Sequence, residues 1–218
     1  MKYDALLCLS GGKDSCSLAF KLKDKGLSIL AFTNDVGFMS PIAFSNIRKV
    51  LDALDIDHVM VKPRASIHKK FIDDYFNDPT QNLDYVCLQC TKVTMANALS
   101  VANSFGIKTI VAGFTKYHVQ AIGIDDAFKM ELAGVSILNP YCKGYNLKKI
   151  EEMLQKYDIV TDPRQTNCAY LPRIIATDMK RFGKCSIEEE FNLLLGDKQI
   201  TESQYHEYRK WILEQFQI

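Results

Sequence analysis

The residues with the most chemistry per position lie in one hexapeptide near the N-terminus, Ser10-Gly11-Gly12-Lys13-Asp14-Ser15. Paired glycines let a backbone turn tightly and approach a ligand with no Cβ in the way. The apolar run Asp4–Leu9 before it reads as a short strand, and helical spacing runs from about Asp14 to Lys25, where Gly26 is placed as a stop. The loop therefore falls at a helix start, whose free N–H groups and dipole favour phosphate. Ser10 and Ser15 add hydroxyls on either side, and Asp14 is placed to organise a magnesium ion on the phosphates. A Gly-Gly turn flanked by capping residues would explain a bare Gly-Gly, but not the full hexapeptide between a strand and a helix. Two better-known phosphate loops are absent: Asp14 follows Lys13 where a Walker A motif needs Ser or Thr, and there is no Gly-x-Gly-x-x-Gly.

The second set of reactive residues is sulfur. The chain has seven cysteines, and without a secretion signal their number points to metal binding or thiol chemistry rather than disulfides. Cys87 and Cys90 form a C-x-x-C just before a predicted helix start at Thr91, and Cys168 follows far along the chain in Thr166-Asn167-Cys168-Ala169-Tyr170. Such a pair can lower a thiol pKa, bind zinc, bind an iron–sulfur cluster or carry persulfide sulfur. Two ordinary buried cysteines would give the same motif. Cys8 and Cys16 read as core, and Cys142 and Cys185 as loop-proximal packing ahead of persulfide carriage.

These residues need a scaffold, and the first two-thirds of the chain alternates strand and helix signals. Strands are expected at Ser28–Thr33, His58–Val61 and Ile107–Ala112, with a helix after Ser40-Pro41 and another over Thr91–Phe105. That alternation predicts an α/β fold, a doubly wound, mostly parallel sheet with helices on both faces. After Pro140 the signals turn helical, at Asn146–Tyr157 and from Ser186 and Thr201, which divides the chain into 1–142 and a C-terminal helical extension, 143–218. The stripe Tyr205, Tyr208, Ile212 and Phe216 is read as core or homodimer packing. Basic and acidic residues nearly balance at 27 to 26, which gives no support to a general nucleic-acid binder. No apolar run approaches the ~20 residues that cross a bilayer, and Met1-Lys2-Tyr3-Asp4 leads straight into a strand. A cytoplasmic location without membrane contact is expected.

The hexapeptide matches the Ser-Gly-Gly-x-Asp-Ser signature of the PP-loop ATP pyrophosphatases, the adenine nucleotide α-hydrolases of HUP type, and the flanking pattern resembles them over about residues 3–115. The resemblance implies ATP bound with its pyrophosphate at Ser10, Gly11, Gly12, Lys13, Asp14 and Ser15, and cleavage to AMP and pyrophosphate. It makes Thr33, Asn34 and Gly113 candidates for base and ribose contacts. Adenylation turns a carbonyl oxygen into a leaving group for a nitrogen or sulfur nucleophile. Cys87, Cys90 and Cys168 are similar in order to the triplet of the sulfur-inserting tRNA enzymes, which implies three thiolates on a [4Fe-4S] cluster and a separate sulfur donor. Zinc with a fourth ligand such as His118 is the alternative.

Two features pull away from a tRNA substrate. The segment after Gly113 reads Phe114-Thr115-Lys116-Tyr117-His118, without the acids common in tRNA-thiolating relatives, and Asp125-Asp126 comes too late. The stretch from Ala31 to Lys62, with Asn46-Ile47, resembles instead the N-acetyl sugar amidotransferases, which take ammonia from a partner. The acceptor is thus tRNA or a small molecule. The third reading is a non-catalytic nucleotide-binding protein. Arg173, Lys180, Arg181 and Lys184, like Lys62, Arg64, Lys69 and Lys70, are read as solvated faces before any anion-guiding role. His58, His68 and His206 are read as surface or satisfied core residues.

Overall fold

A computed structural model of the chain describes residues 2–114, 129–141, 146–162 and 168–183, together with 195, 201–203, 205–207 and 210. The expectations for Cys142, Cys185, Lys184, His118, Asp125-Asp126, the boundary at 142 and most of the two last helices lie outside the described residues.

Six strands form one sheet. In chain order they are β1 (Ala5–Cys8), β2 (Ile29–Asn34), β3 (Asp57–Val61), β4 (Thr109–Val111), β5 (Lys129–Leu132) and β6 (Val135–Leu138), arranged β3-β2-β1-β4-β6-β5. All neighbours are parallel except the hairpin β5–β6. The helices among the described residues are α1 (Lys13–Asp24), α2 (Pro41–Leu54), α3 (Ala65–Asn77), α4 (Leu83–Ser104), α5 (Leu147–Gln155) and α6 (Leu171–Phe182).

The central strands β1 and β2 are buried along nearly their whole length because both sheet faces are covered there, whereas the edge strands β3 and β5 carry charged, exposed positions. Ala5, Leu7 and Leu9 of the first strand region join Ile29 and Ala31 in one core with α1, α2 and α5. Leu6, Leu30, Phe32 and Ile110 join Ala98, Val101 and Ala102 of α4 in a core on the opposite face. A third cluster lies between α3, the start of α4 and α6, where Ile72, Tyr75, Leu83, Val86, Leu171, Ile174 and Ile175 are buried. The chain leaves β1 toward β2 on one side and reaches β4 on the other. The carboxyl ends of β1 and its neighbours therefore border the crevice where open α/β sheets bind ligands.

Three elements differ from the sequence reading. The helix expected from Thr91 starts eight residues earlier at Leu83, where the Asn82 side chain accepts from Tyr85 N at 3.3 Å, so the C-x-x-C lies within the helix and not before it. Helix α3 was not anticipated. Neither was the β5–β6 hairpin, whose Ala133 and Gly134 take φ of 50° and 73°, both central residues left-handed as a tight hairpin turn requires. Strands of four residues carry too little periodicity to stand out.

Candidate functional site

The site begins where β1 passes into α1. Gly11 has φ +80°, and a Cβ on it would come within 2.2 Å of the Ala43 carbonyl oxygen in the first turn of α2. Only glycine fits there. The Gly11 carbonyl accepts from Asn46 Nδ2 of α2 at 2.8 Å. The same buried amide donates to Val160 O at 2.8 Å and accepts from Val160 N at 3.0 Å, tying the loop to the segment after α5. Ser15 Oγ donates to Gly12 O at 3.1 Å and accepts from Ser10 N at 3.1 Å, with the two serine hydroxyls 3.0 Å apart. Lys13 Nζ stands 3.2 Å from both carboxylate oxygens of Asp14. Burial raises the Glu151 carboxyl on α5, and the positive charge of Lys13 partly offsets that rise. At the end of β4, a Cβ on Gly113 would approach Asp14 Cβ and Ser15 N to 3.2 Å, so glycine lets β4 close against the first turn of α1. Gly113 touches the phosphate loop directly.

The end of β2 forms the next wall. The Thr33 hydroxyl is buried and committed inward, donating to Leu9 O at 2.7 Å with His58 Nε2 2.9 Å away. Asn34 Nδ2 donates to Thr94 Oγ1 at 3.0 Å, and Asn34 Oδ1 accepts from Asn97 Nδ2 at 2.9 Å. A cleft of about 280 Å³ runs past these groups, lined among others by Ser10, Gly12, Asn34, Thr94, Cys8 and Cys168.

Cys168 thus reaches the phosphate end of the molecule. It is held there because Ala169 N donates to Phe38 O at 3.0 Å and Tyr170 packs edge-on to the Phe38 ring at 5.1 Å. Cys90 and Cys168 both pack against the third core cluster. Burial pushes the Cys90 thiol up to about 12 and raises Cys168 as well. Cys87 is exposed one helical turn before Cys90. The donors are soft thiols of the kind an iron–sulfur cluster or zinc takes. In position, Cys90 and Cys168 share one core cluster while Cys87 is exposed, and among the described residues no three metal-binding side chains are grouped to hold an ion. Cys16 is core, as expected, whereas Cys8 is only half-buried and borders the cleft.

Two readings of charged and polar residues change. Arg181 is no anion guide: its guanidinium donates to the carbonyls of Tyr75 at 2.9 Å and Phe76 at 3.0 Å, closing the C-terminal end of α3. Asp178 on α6 accepts from Tyr75 Oη at 2.6 Å and Leu83 N at 2.8 Å, so α6 is docked by polar groups at both α3 and α4. Lys70 pairs with Asp74 at 2.6 Å, Lys62 with Asp35 at 3.3 Å, and Arg173 lies over the Phe76 ring at 4.4 Å. His68 is core but unsatisfied. It is fully buried against Phe38 and Phe71, and neither ring nitrogen has a hydrogen-bond partner among the described residues.

Sequence reasoning missed Asn46 as a brace, and Thr94 and Asn97 as partners of Asn34. A signal for the last two was present: Cys87, Cys90, Thr94 and Asn97 recur at intervals of three and four and so share one face of α4.

Solved structures with the same layout decide the fold. An NMN synthetase from Francisella tularensis superimposes with a TM-score of 0.55, covering 99% of this chain and 84% of that one at 14% identity. The U34-tRNA thiolase NcsA from Methanococcus maripaludis, solved with its [4Fe-4S] cluster, gives 0.52 over 82% and 67% at 12% identity. The chain has the PP-loop fold of the adenine nucleotide α-hydrolases. In sequence this PP-loop chain resembles tRNA-thiolating enzymes: a tRNA-specific 2-thiouridylase MnmA of Clostridium botulinum (strain Eklund 17B / Type B) is 30% identical over 129 residues, 51% of this chain and 35% of that protein. A thiouridylase of the Hall strain is 28% identical over 118 residues, 49% of this chain and 33% of that one. The match therefore spans about a third of the length of these relatives. No protein-family model matches the chain. No helix among the described residues is long and apolar enough to cross a membrane.

Proposed function

We propose that this PP-loop protein is an ATP-dependent sulfur transferase. The observation that carries the reading is that Cys168 lines the same cleft as Ser10, Gly12 and Asn34. A thiol beside a phosphate loop places sulfur chemistry next to the atom that ATP activates.

In this reading the N–H groups at the start of α1 and the hydroxyls of Ser10 and Ser15 hold the β- and γ-phosphates. Asp14 carries the magnesium ion and Lys13 neutralises charge on the leaving pyrophosphate. Thr33, Asn34 and Gly113 take the nucleoside. A carbonyl-type oxygen of the acceptor attacks the α-phosphorus, the bond to the bridging oxygen breaks, and pyrophosphate leaves. A sulfide-level donor then attacks the activated carbon. The C–S bond forms, the C–O bond breaks, and AMP departs with the original oxygen. Cys87, Cys90 and Cys168 would hold a [4Fe-4S] cluster only if Cys87 turned to join the other two, and the cluster would then supply an iron position open to sulfide. The thiouridylase relatives favour a tRNA pyrimidine as acceptor, and a cytoplasmic setting follows from that substrate.

A second reading keeps the activation step and replaces sulfur by ammonia, as in an amidotransferase. It is favoured because no three metal-binding side chains are grouped to hold an ion among the described residues. Anaerobic reconstitution with iron and sulfide separates the two. The sulfur-transfer reading expects absorbance near ~400 nm from thiolate-bound iron, lost in Cys168→Ala. A colourless, iron-free wild type would sink it and promote nitrogen transfer. Release of AMP and pyrophosphate, abolished in Asp14→Asn, checks the activation that both readings share.

A further inference from the structure

The amino-terminal half of α2 is where the phosphate loop meets the chain that carries Cys168. On one side Gly11 presses against Ala43, and Asn46 Nδ2 donates to the Gly11 carbonyl at 2.8 Å. On the other, the same amide donates to Val160 O at 2.8 Å and accepts from Val160 N at 3.0 Å. Lys49, one turn further along the helix, donates to the Asp158 carbonyl and, at 2.7 Å, to its carboxylate. Just ahead of the Ser40 cap of α2, the Phe38 carbonyl accepts from Ala169 N at 3.0 Å. The stretch from Val160 to Ala169, with Cys168 near its far end, is therefore anchored at both ends to α2 and the residues that lead into it.

We propose that Asn46 ties the reactivity of Cys168 to the occupancy of the phosphate loop. The inference rests on the reading of Ser10–Ser15 as a phosphate site. The Val160 N–H can only donate, and the carbonyls of Gly11 and Val160 can only accept, so backbone groups alone fix the orientation of the Asn46 amide. That amide is fully buried with both N–H bonds engaged, and Gly11 cannot shift without straining its hold on Val160. An anion that accepts from the Gly12 N–H pulls on the peptide plane whose other end is the Gly11 carbonyl. Asn46 passes that pull to Val160, and α2 carries it to Phe38 and Ala169. Filling the loop thus seats Cys168 on the cleft it shares with Ser10 and Gly12. Asn46 is a positioning residue, acting through Gly11 at one end and Val160 at the other.

The experiment alkylates the whole chain with iodoacetamide, with and without saturating magnesium pyrophosphate, and follows Cys168 at the peptide level by mass spectrometry. Exposed Cys87 is the internal reference. Wild type, Asn46→Ala and Lys49→Met are compared, each at a pyrophosphate concentration that calorimetry shows to fill the loop. In wild type, pyrophosphate should slow Cys168 alkylation by about fivefold or more, the lower end of coupling between distinct sites, and leave Cys87 unchanged. In Asn46→Ala, with the loop filled, most of that slowing should disappear. Lys49→Met should keep its pyrophosphate affinity and show a reduced slowing, because it frees Asp158 without touching the loop. Undiminished slowing in Asn46→Ala would mean that pyrophosphate shields the thiol directly, and it overturns the proposal. A wild type that binds pyrophosphate with no change at Cys168 overturns it too. Where Asn46→Ala does not fold, undiminished slowing in Lys49→Met has the same force. A wild type that does not bind pyrophosphate is a different result, and it overturns the phosphate-site reading itself.

Discussion

Asn46 Nδ2 donates to the Gly11 carbonyl at 2.8 Å from a fully buried position on α2. The Gly11 carbonyl and the Gly12 N–H belong to one rigid peptide plane, so fixing the oxygen also aims the N–H that opens α1. A residue distant in sequence thereby orients the group that would meet phosphate. Asn46→Ala should weaken pyrophosphate binding by about tenfold and destabilise the fold by ~1–3 kcal/mol, since the Val160 N–H and two carbonyls lose their partner. Calorimetry with pyrophosphate and denaturant unfolding check the two effects, and full affinity in a folded variant would refute the brace.

Gly11→Ala places a methyl group 2.2 Å from a backbone oxygen at a φ of +80°. Both the clash and the strained φ push the loop off α2. Phosphate binding should fall by about a hundredfold or more, while Gly26→Ala, with nothing within 4 Å of its Cβ, should leave it unchanged. Equal binding by Gly11→Ala would show that the loop does not need this turn.

Asp178→Ala should cost ~1–3 kcal/mol, because it leaves the buried Leu83 N–H without its acceptor and the Tyr75 hydroxyl with the Ile174 carbonyl alone, at 3.0 Å. Since α6 follows Cys168 directly, iron retention after reconstitution should fall with it. The measurement is urea unfolding beside an iron count; a stable variant with full iron content would separate α6 docking from the cysteine site.

His68 is lowered below the ordinary histidine range by burial. A folded pKa below the unfolded one contributes stability that is present above about pH 6.5 and lost as pH falls below it. His68→Leu should therefore flatten the acid limb of stability between pH 7 and 5. It should also gain about 1 kcal/mol at neutral pH by removing two orphaned nitrogens. Melting midpoints across that range test it, and an acid limb as steep as that of the wild type would assign the sensitivity elsewhere.

Much of this protein was legible in one dimension. The strand–Ser10-Gly11-Gly12-Lys13-Asp14-Ser15–helix order, the parallel sheet and the Ser40-Pro41 helix start are local properties: chain period, turn chemistry and capping act between residues a few positions apart. Helix α3 and the β5–β6 hairpin escaped because their stability comes from packing and pairing with distant elements rather than from their own pattern. The start of α4 escaped for a related reason, since the Leu83 N–H is anchored by Asp178, far along the chain.

For the site, the sequence by itself determined which chemical groups are present: a Ser-Gly-Gly-Lys-Asp-Ser loop and three separated thiols. Only the tertiary structure decided which of them share a space. It brought Cys168 to the cleft that Ser10 and Gly12 line, packed it with Cys90 against one core cluster, left Cys87 exposed, turned the Thr33 hydroxyl inward, and clamped Asn34 between Thr94 and Asn97. Those outcomes depend on chain crossovers and on buried hydrogen bonds between distant residues, and no spacing along a single chain encodes either.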